Sequence, residues 1–467
     1  MINFKQLAEA FDSYRTNELP NLNKLFDYYS GKHAILNKEN RIEGKADAKI
    51  VSGYAEYITT IATAYFLGKN ISYVVDEDKK KKFEKLREYL ATEEEQQSNF
   101  ELALNCSIYG KAYELVYIDE LKNLKFKALD TRDVFVLKDN TINQNIIAAV
   151  RFGITKISQT EYDVTLEVYD KTTVVTHQFK TSSLQLAKMV DLKNISTMKK
   201  PHGFKKVPII EYQNNKFNAG DFEKVISYID AYNTAVSTSI DDLTDFSDAY
   251  LVFYNLSGTT DEDLERMKKY KSFMVAGDGD AKWLIKEAND TYSQNIKDRL
   301  NNDIHKFSFT PDMTDEKFSG NTSGVALEFK LLPLEHLGSQ KEMYFKKSLN
   351  ERLEILIDFL KVDLKATDIQ KIFTRTLPRN LKEISEVMRN LMGTLSHKTV
   401  IGLFPSIEDP QVELDKLKAE EKEVQDDYYN KSLGVKNELL EDKTNSKGEP
   451  SKQDNPKDGK GTGEKLS

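Results

Sequence analysis

The stretch NDTYSQNIKDRLNNDIHKFSFTPDMTDEKFSGNTSGVALEFKLLPLEHLGSQKEMYFKKSLNERLEILIDFL, residues 289–360, decides how this chain is read. In its first part Tyr292, Ile296, Leu300, Ile304 and Phe307 recur every three or four residues, one stripe of a 3.6-residue helix, and the opposite face is polar. The connection at 311–323, PDMTDEKFSGNTS, gathers proline, glycine, asparagine and serine, which favour turns and compete with helical hydrogen bonds. It predicts an exposed, mobile loop. A second helix is expected from the N-cap Ser323, interrupted and bent at Pro333, which has no N–H and whose ring crowds the carbonyl four residues back. Beyond it Leu337, Leu349, Leu353, Ile357 and Leu360 continue the stripe. Nothing in this unit is chemically reactive. It reads either as a buried helical hairpin with an accidental kink or as an element built to pack beside others.

Working outward, the helical period recurs upstream. Phe222, Val225, Ile226, Ile229, Val236, Ile240 and Leu243 line one side of a helix of about 26 residues from Asp221, opposite Ser227, Thr234, Ser237, Ser239 and several aspartates. Between the two helices a small α/β insertion is expected at 249–288: strand AYLVFYN, helix DEDLERMKKYK, strand SFMVA, a turn carrying Gly277 and Gly279, and strand KWLIK with the lone Trp283. From 112 to 212 the period is two, in runs such as AYELVYI, DVFVLK, NIIAAVRFGI, YDVTLEVYD and TVVTHQFK, as in an antiparallel sheet. The first 110 residues read as helical. Leu22, Leu25 and Phe26 follow Pro20, and a strong helix from Asp47 through Ile50, Tyr54, Ile58 and Tyr65 ends at Gly68 in a left-handed cap. Helices are expected at 377–393 and 396–404, and an acidic one from Asp409-Pro410. The tail at 441–467 has balanced charge and scarcely any apolar residues, which predicts disorder. The fold class is α+β, predominantly helical.

At 53.6 kDa the chain has ample core for two or three domains without disulfide or metal. Its one cysteine, Cys106, falls in the apolar run FELALNCSIYG with no histidine near it in sequence, so a packed helix position is expected rather than a nucleophile. No basic start leads into an apolar run and no stretch reaches membrane-spanning length, so no secretion signal or membrane anchor is expected. The net charge of −8 argues against a surface that grips nucleic acid throughout, although a duplex could slide past an acidic wall. No GxxxxGK[ST] phosphate loop occurs, and the six histidines have no metal-ligand spacing, so no cofactor and no metal are expected. The basic run Lys79 to Lys82 reads as a solvated face. Asp241, Asp242, Asp245 and Asp248 could hold a divalent ion in a nuclease, or simply form a solvated acidic face.

The succession resembles the SPP1-type (gp6-like) portal proteins of long-tailed bacteriophages. The stretches that carry the likeness are RIEGKADAKIVSGYAEYITTIATAYFLGKNISY, YGKAYELVYID, VPIIEYQNNKFNAGDFEKVISYIDAYNTAVSTSIDDLTDFSDAYLVF, PDMTDEKFSGNTSGVALEFKLLPLE and LSHKTVIGLFPSIEDPQVELDKLKAEE, in consistent order from about residue 35 to 430. The resemblance implies a non-enzymatic ring, usually of twelve subunits, at one capsid vertex of the virion, assembled in the host cytoplasm. Double-stranded DNA would be packaged and ejected through it. The terminase large subunit, a head-completion or adaptor protein, and the major capsid and scaffolding proteins are the implied partners. It also implies a wing (1–220 and 324–400), a stem (221–247 and 289–310), a clip (248–288), a channel loop (311–323) and a crown (401–440). The channel loop would present Asp312, Met313, Asp315, Glu316, Lys317, Phe318 and Asn321, the clip Trp283, Gly277 and Gly279, and Pro333 would kink the wing helix. Three acids against one lysine would repel phosphates around the ring, leaving Met313 and Phe318 for steric contact. Two other readings stand beside it, an aspartate-dependent nuclease and a helical scaffolding adaptor that forms no ring.

Overall fold

The computed structural model describes residues 3–39, 46–90, 92–188, 195–245, 250–254, 280–284, 290–314, 324–376, 381–404 and 410–425, with single positions between them. The chain divides into two compact units, Met1–Pro378 and Arg379–Ser467.

The first unit begins with α1 (Phe4–Asn17) and α2 (Leu19–Tyr29), the former opened by an Asn3–Gln6 capping box and the latter by Pro20 in its first turn. Their apolar stripes, with Leu7, Phe11, Tyr14 and Leu25, are buried against Phe135, Val150, Phe152 and Leu166 of a five-stranded sheet. That sheet is an antiparallel meander of β4 (Val134–Lys138), β5 (Ile146–Lys156), β6 (Tyr162–Tyr169), β7 (Thr173–Thr181) and β8 (Ser196–Pro201). A second sheet sets β2 (Lys111–Ile118) between β3 (Leu124–Leu129) and β9 (Ile209–Gln213). The alternating residues from 112 to 212 therefore build two sheets, where one was expected. A 3-10 turn at Thr131–Asp133 carries the chain out of β3 into the larger sheet, and β9 returns to pair with β2. Strand β8, STMKKP, has no apolar alternation to announce it, because all six of its residues are exposed.

Behind the smaller sheet lie α3 (Tyr54–Leu67), α4 (Lys80–Arg87) and α5 (Glu93–Tyr109), and the short β1 (Ser72–Val74) pairs antiparallel with β12 (Gln370–Ile372). Helix α5 starts on the Thr92 cap and ends at Gly110, whose φ of +80° favours glycine; a Cβ there would also overlap the Asn218 carbonyl. Helix α3 departs from expectation at both ends. It begins at Tyr54 rather than Asp47, because residues 48–52 are extended and hydrogen-bonded elsewhere. Gly68 closes it with φ −72°, in the right-handed region, and glycine is needed there for space: a Cβ would overlap the Ala64 carbonyl and the Thr376 hydroxyl. Cys106 is buried, with its sulfur 3.5 Å from the Tyr212 carbonyl, and burial pushes its thiol far above the usual range, which makes it inert. The lysine run is taken up by acids, Lys79 by Asp368, Lys80 by Glu77 and Lys82 by Asp363.

Three long helices complete the unit: α6 (Ile226–Asp245), α7 (Asp290–Phe307) and α8 (Gly324–Leu360). A 3-10 turn, Glu223–Val225, replaces the expected first turn of α6. Helices α6 and α7 run antiparallel, with Ser239 3.0 Å from Ser293 at one end and Tyr228 against Phe307 at the other. Between them in sequence, β10 (Tyr250–Tyr254) and β11 (Asp280–Leu284) form an antiparallel pair with Leu251 opposite Trp283. Helix α8 runs continuously from Gly324 to Leu360, with Pro333 inside it. Pro333 has no N–H to offer the Phe329 carbonyl one turn back, and Phe329 is among the most exposed large apolar residues, so that turn of the helix lies at the surface. The second unit holds α9 (Leu381–Leu391), α10 (His397–Ile401), capped by Ser396, and a helix over 410–425.

Candidate functional site

The point at which the chain leaves α7 is built by helix termination. After Phe307 the Ser308 amide still donates to the Ile304 carbonyl, and then Phe309 adopts a φ of +58° and reverses the chain. His305 Nδ1 lies 2.9 Å from the Thr310 carbonyl, pinning the reversal to the helix that precedes it. The following residues are held by α3. The Tyr57 hydroxyl donates to the Pro311 carbonyl at 3.2 Å and accepts from the Met313 amide at 2.8 Å. The Asp312 carboxylate accepts from the Thr314 amide at 2.9 Å and the Thr314 hydroxyl at 2.6 Å, and it faces His305 Nε2 at 3.8 Å. Partial burial opposes the charge on Asp312, but the Thr314 bonds, with His305 and Asn301, overcome it and hold the carboxyl below its ordinary range. Edge contacts of the His305 ring with Tyr54 and Tyr57, and a 2.6 Å bond from Tyr54 to Asn301, lock α3 to α7 at this level.

Met313 is half-buried against Ala62, Tyr65, Leu331 and Leu334, in a small core between α3 and the first turns of α8. Asp312 and Met313, expected on a projecting loop, thus belong to its root. Asp315, Glu316, Lys317, Phe318 and Asn321 lie outside the described residues, as do Gly277, Gly279 and Ser323. Trp283 lies on β11, and Pro333 on the exposed side of α8, flanked by the buried Leu331 and Leu334.

Buried ion networks fix the rest of α8. Arg352, wholly buried, grips Glu114 through Nε at 2.9 Å and Nη2 at 2.6 Å, and reaches Glu95 through Nη1 at 2.7 Å. Lys341 donates to Ser107 at 2.7 Å and to Asn214 at 2.8 Å, and pairs with Asp221 at 2.6 Å. Nearer Pro333, Arg375 pairs with Glu335 at 3.2 Å and Glu342 at 2.7 Å.

The polar side of α6 has a structural use. Asn233, Ser237 and Asp241, four residues apart, accept from the amides of Ser52, Ile50 and Ala48 at 2.9, 2.9 and 2.6 Å. Four helical residues advance about 6 Å and two extended residues about 6.6 Å, so the two ladders stay in register. Asp241, nearly wholly buried and facing Lys38 at 3.7 Å, is thereby committed to holding the 46–52 segment. Among the described residues no three His, Cys, Asp or Glu side chains converge as a metal site, and no helix is long and apolar enough to cross a membrane.

Sequence reasoning missed Tyr57, Tyr54 and His305. Each sits in a pattern that reads as ordinary amphipathic helix, and only the juxtaposition of α3 with the end of α7 gives them a task. The periodic stripe of α7 is half realised: Ile304 is buried, but Tyr292 and Ile296 are exposed, as are Ile240 and Leu243 on α6. An isolated chain leaves this end of the helix pair uncovered.

Residues 10–427 match the family model described as phage portal protein, SPP1 Gp6-like. The portal protein of Clostridium phage phiCD119 is 25% identical over 430 residues, covering 86% of this chain and 94% of that protein. The portal protein of Bacillus phage SPP1 is 24% identical over 378 residues, 77% of this chain and 73% of that protein. A match spanning residues 10–427, in a protein of mixed helix and antiparallel sheet, shows that it belongs to the SPP1 Gp6-like family of phage portal proteins, structural components of the virion.

Proposed function

We propose that this chain closes into a ring, of twelve copies on the family pattern, at one vertex of the capsid, and that double-stranded DNA enters and leaves through its centre. The observation that carries this is the family match over residues 10–427. The uncovered apolar residues Ile240, Leu243, Tyr292 and Ile296 support it, since neighbouring copies would cover them in a closed ring. On this reading 1–220 and 324–400 form the wing, and α6 with α7 the stem within 221–247 and 289–310. The clip is 248–288, meeting the terminase large subunit and the head-completion or adaptor protein, and the crown is 401–440. The wing faces the major capsid and scaffolding proteins. The 311–323 loop projects into the channel, and with Asp312 engaged at its root the acids left to face the duplex are Asp315 and Glu316, against Lys317.

Particle imaging of the purified protein tests the ring. Twelve copies of a 53.6 kDa chain give a closed particle of about 640 kDa with a central hole. Isolated protomers at micromolar concentration would favour the adaptor reading instead. Deleting 315–321 tests the loop: assembly should persist and DNA filling of heads should fall, and unchanged filling would refute a channel role for that segment.

A further inference from the structure

We infer that Tyr57 is the positioning residue for the channel loop, fixing the place where the loop leaves the body of the protein, so that residues 311–314 stay with α3 and α7. This rests on the channel reading above. One hydroxyl holds both sides of the turn: it donates to the Pro311 carbonyl and accepts from the Met313 amide. Both groups belong to backbone that no helix or strand serves, so their bonds come from Tyr57 or from water. The side chain cannot drift, because its ring stands edge-on to His305 at 5.6 Å, and α3 is pinned by the buried Ala55, Ile58 and Ala62 on its inner face. Met313 adds an apolar plug beside it, among Ala62, Tyr65, Leu331 and Leu334. The upstream root is therefore set by α3, an element about 250 residues distant in sequence.

The hydroxyl separates this role from simple packing. In Tyr57→Phe the ring contact with His305 and the volume are kept, and only the two bonds to the root are lost. Tyr54→Phe is the matched control, since it removes a hydroxyl bond from the same cluster, to Asn301, and leaves both Tyr57 bonds to Pro311 and Met313 in place. Hydrogen exchange on the assembled full-length protein reads the first half of the inference. In the unaltered protein the Met313 amide should be protected, and in Tyr57→Phe it should exchange about tenfold faster, the loss of one hydrogen bond. Tyr54→Phe should leave it within about twofold. Equal exchange in Tyr57→Phe and the unaltered protein, or an equal rise in both variants, overturns the assignment.

DNA filling of heads carrying each variant reads the second half. Tyr57→Phe should lower filling or retention at normal ring assembly, and Tyr54→Phe should not. If Tyr57→Phe loosens Met313 yet filling is normal while the 315–321 deletion impairs it, the positioning role is refuted and the channel reading stands. If the deletion also leaves filling normal, the channel reading fails and the positioning role fails with it. The exchange result still tells whether Tyr57 holds the root.

Discussion

Removing the charge of Arg352 gives the sharpest test of how α8 is held to the rest of its unit. Its side chain and those of Glu95 and Glu114 are all 0% exposed. Four hydrogen bonds of 2.6–2.9 Å engage the guanidinium, two of them a fork on Glu114, one on Glu95 and one on Asn99. The carboxylates also accept from Tyr73 at 2.7 Å and Tyr212 at 2.9 Å, but those donors are neutral. Arg352→Met keeps most of the volume and deletes the cation, leaving two buried carboxylates without a counter-charge; breaking one such pair destabilises by about 3–5 kcal/mol. Arg352→Ala adds an unfilled void and should lie at or above the top of that range. The triple variant Arg352→Met, Glu95→Gln, Glu114→Gln removes the uncompensated charge while glutamine keeps accepting from the tyrosines, so it should recover more than half of the loss. Guanidinium unfolding followed by circular dichroism reads each as a midpoint shift at unchanged slope. A loss under about 1 kcal/mol for Arg352→Met, or a triple variant no better than the single one, would refute the argument that this network holds the helix in place.

Other expectations follow from the same geometry. Asp241→Asn should destabilise by about 1–2 kcal/mol, as a charged acceptor for the Ala48 amide becomes a neutral one; if instead Asp241→Asn with Asp245→Asn abolishes a magnesium-dependent DNA cleavage, the nuclease reading gains and the anchoring one loses. Gly68→Ala should cost about 1–3 kcal/mol through overlap with the Ala64 carbonyl, and Gly68→Asn more; tolerance of Asn in a thermal melt would mean that handedness, and not space, selects glycine there. Asp312 has a folded pKa below its unfolded value, so its stabilisation of the loop root is present above about pH 4 and is lost as pH falls through the lowered folded value. Hydrogen exchange at Met313 should therefore rise as the pH is lowered below about 4, once corrected for intrinsic rates.

Periodicity found the helices at 226–245, 290–307 and 324–360 because each buries a stripe along at least part of its length, and found seven of the eight described strands between 111 and 213, most of which alternate in burial. It missed β8, whose residues are all exposed and so carry no alternation. It extended α3 back to Asp47, since Ile50 and Val51 fit a helical stripe locally. What draws that segment straight is Asn233, Ser237 and Asp241, nearly two hundred residues away. Asp241 looked like part of an acidic face because sequence shows a carboxylate but not the amide it accepts from.

Sequence by itself therefore determined the order and type of most long elements and the family likeness, because these depend on patterns within a few turns or on motifs in succession. Only the tertiary structure decided which polar residues are buried anchors, that Met313 packs against α3 and α8, and that the Tyr57 hydroxyl bonds both Pro311 and Met313. Arg352 with Glu95 and Glu114, or Tyr57 with Met313, are pairs separated by 238 to 257 residues, and their bonds form only when the chain folds them together. Nothing local in either partner encodes the other.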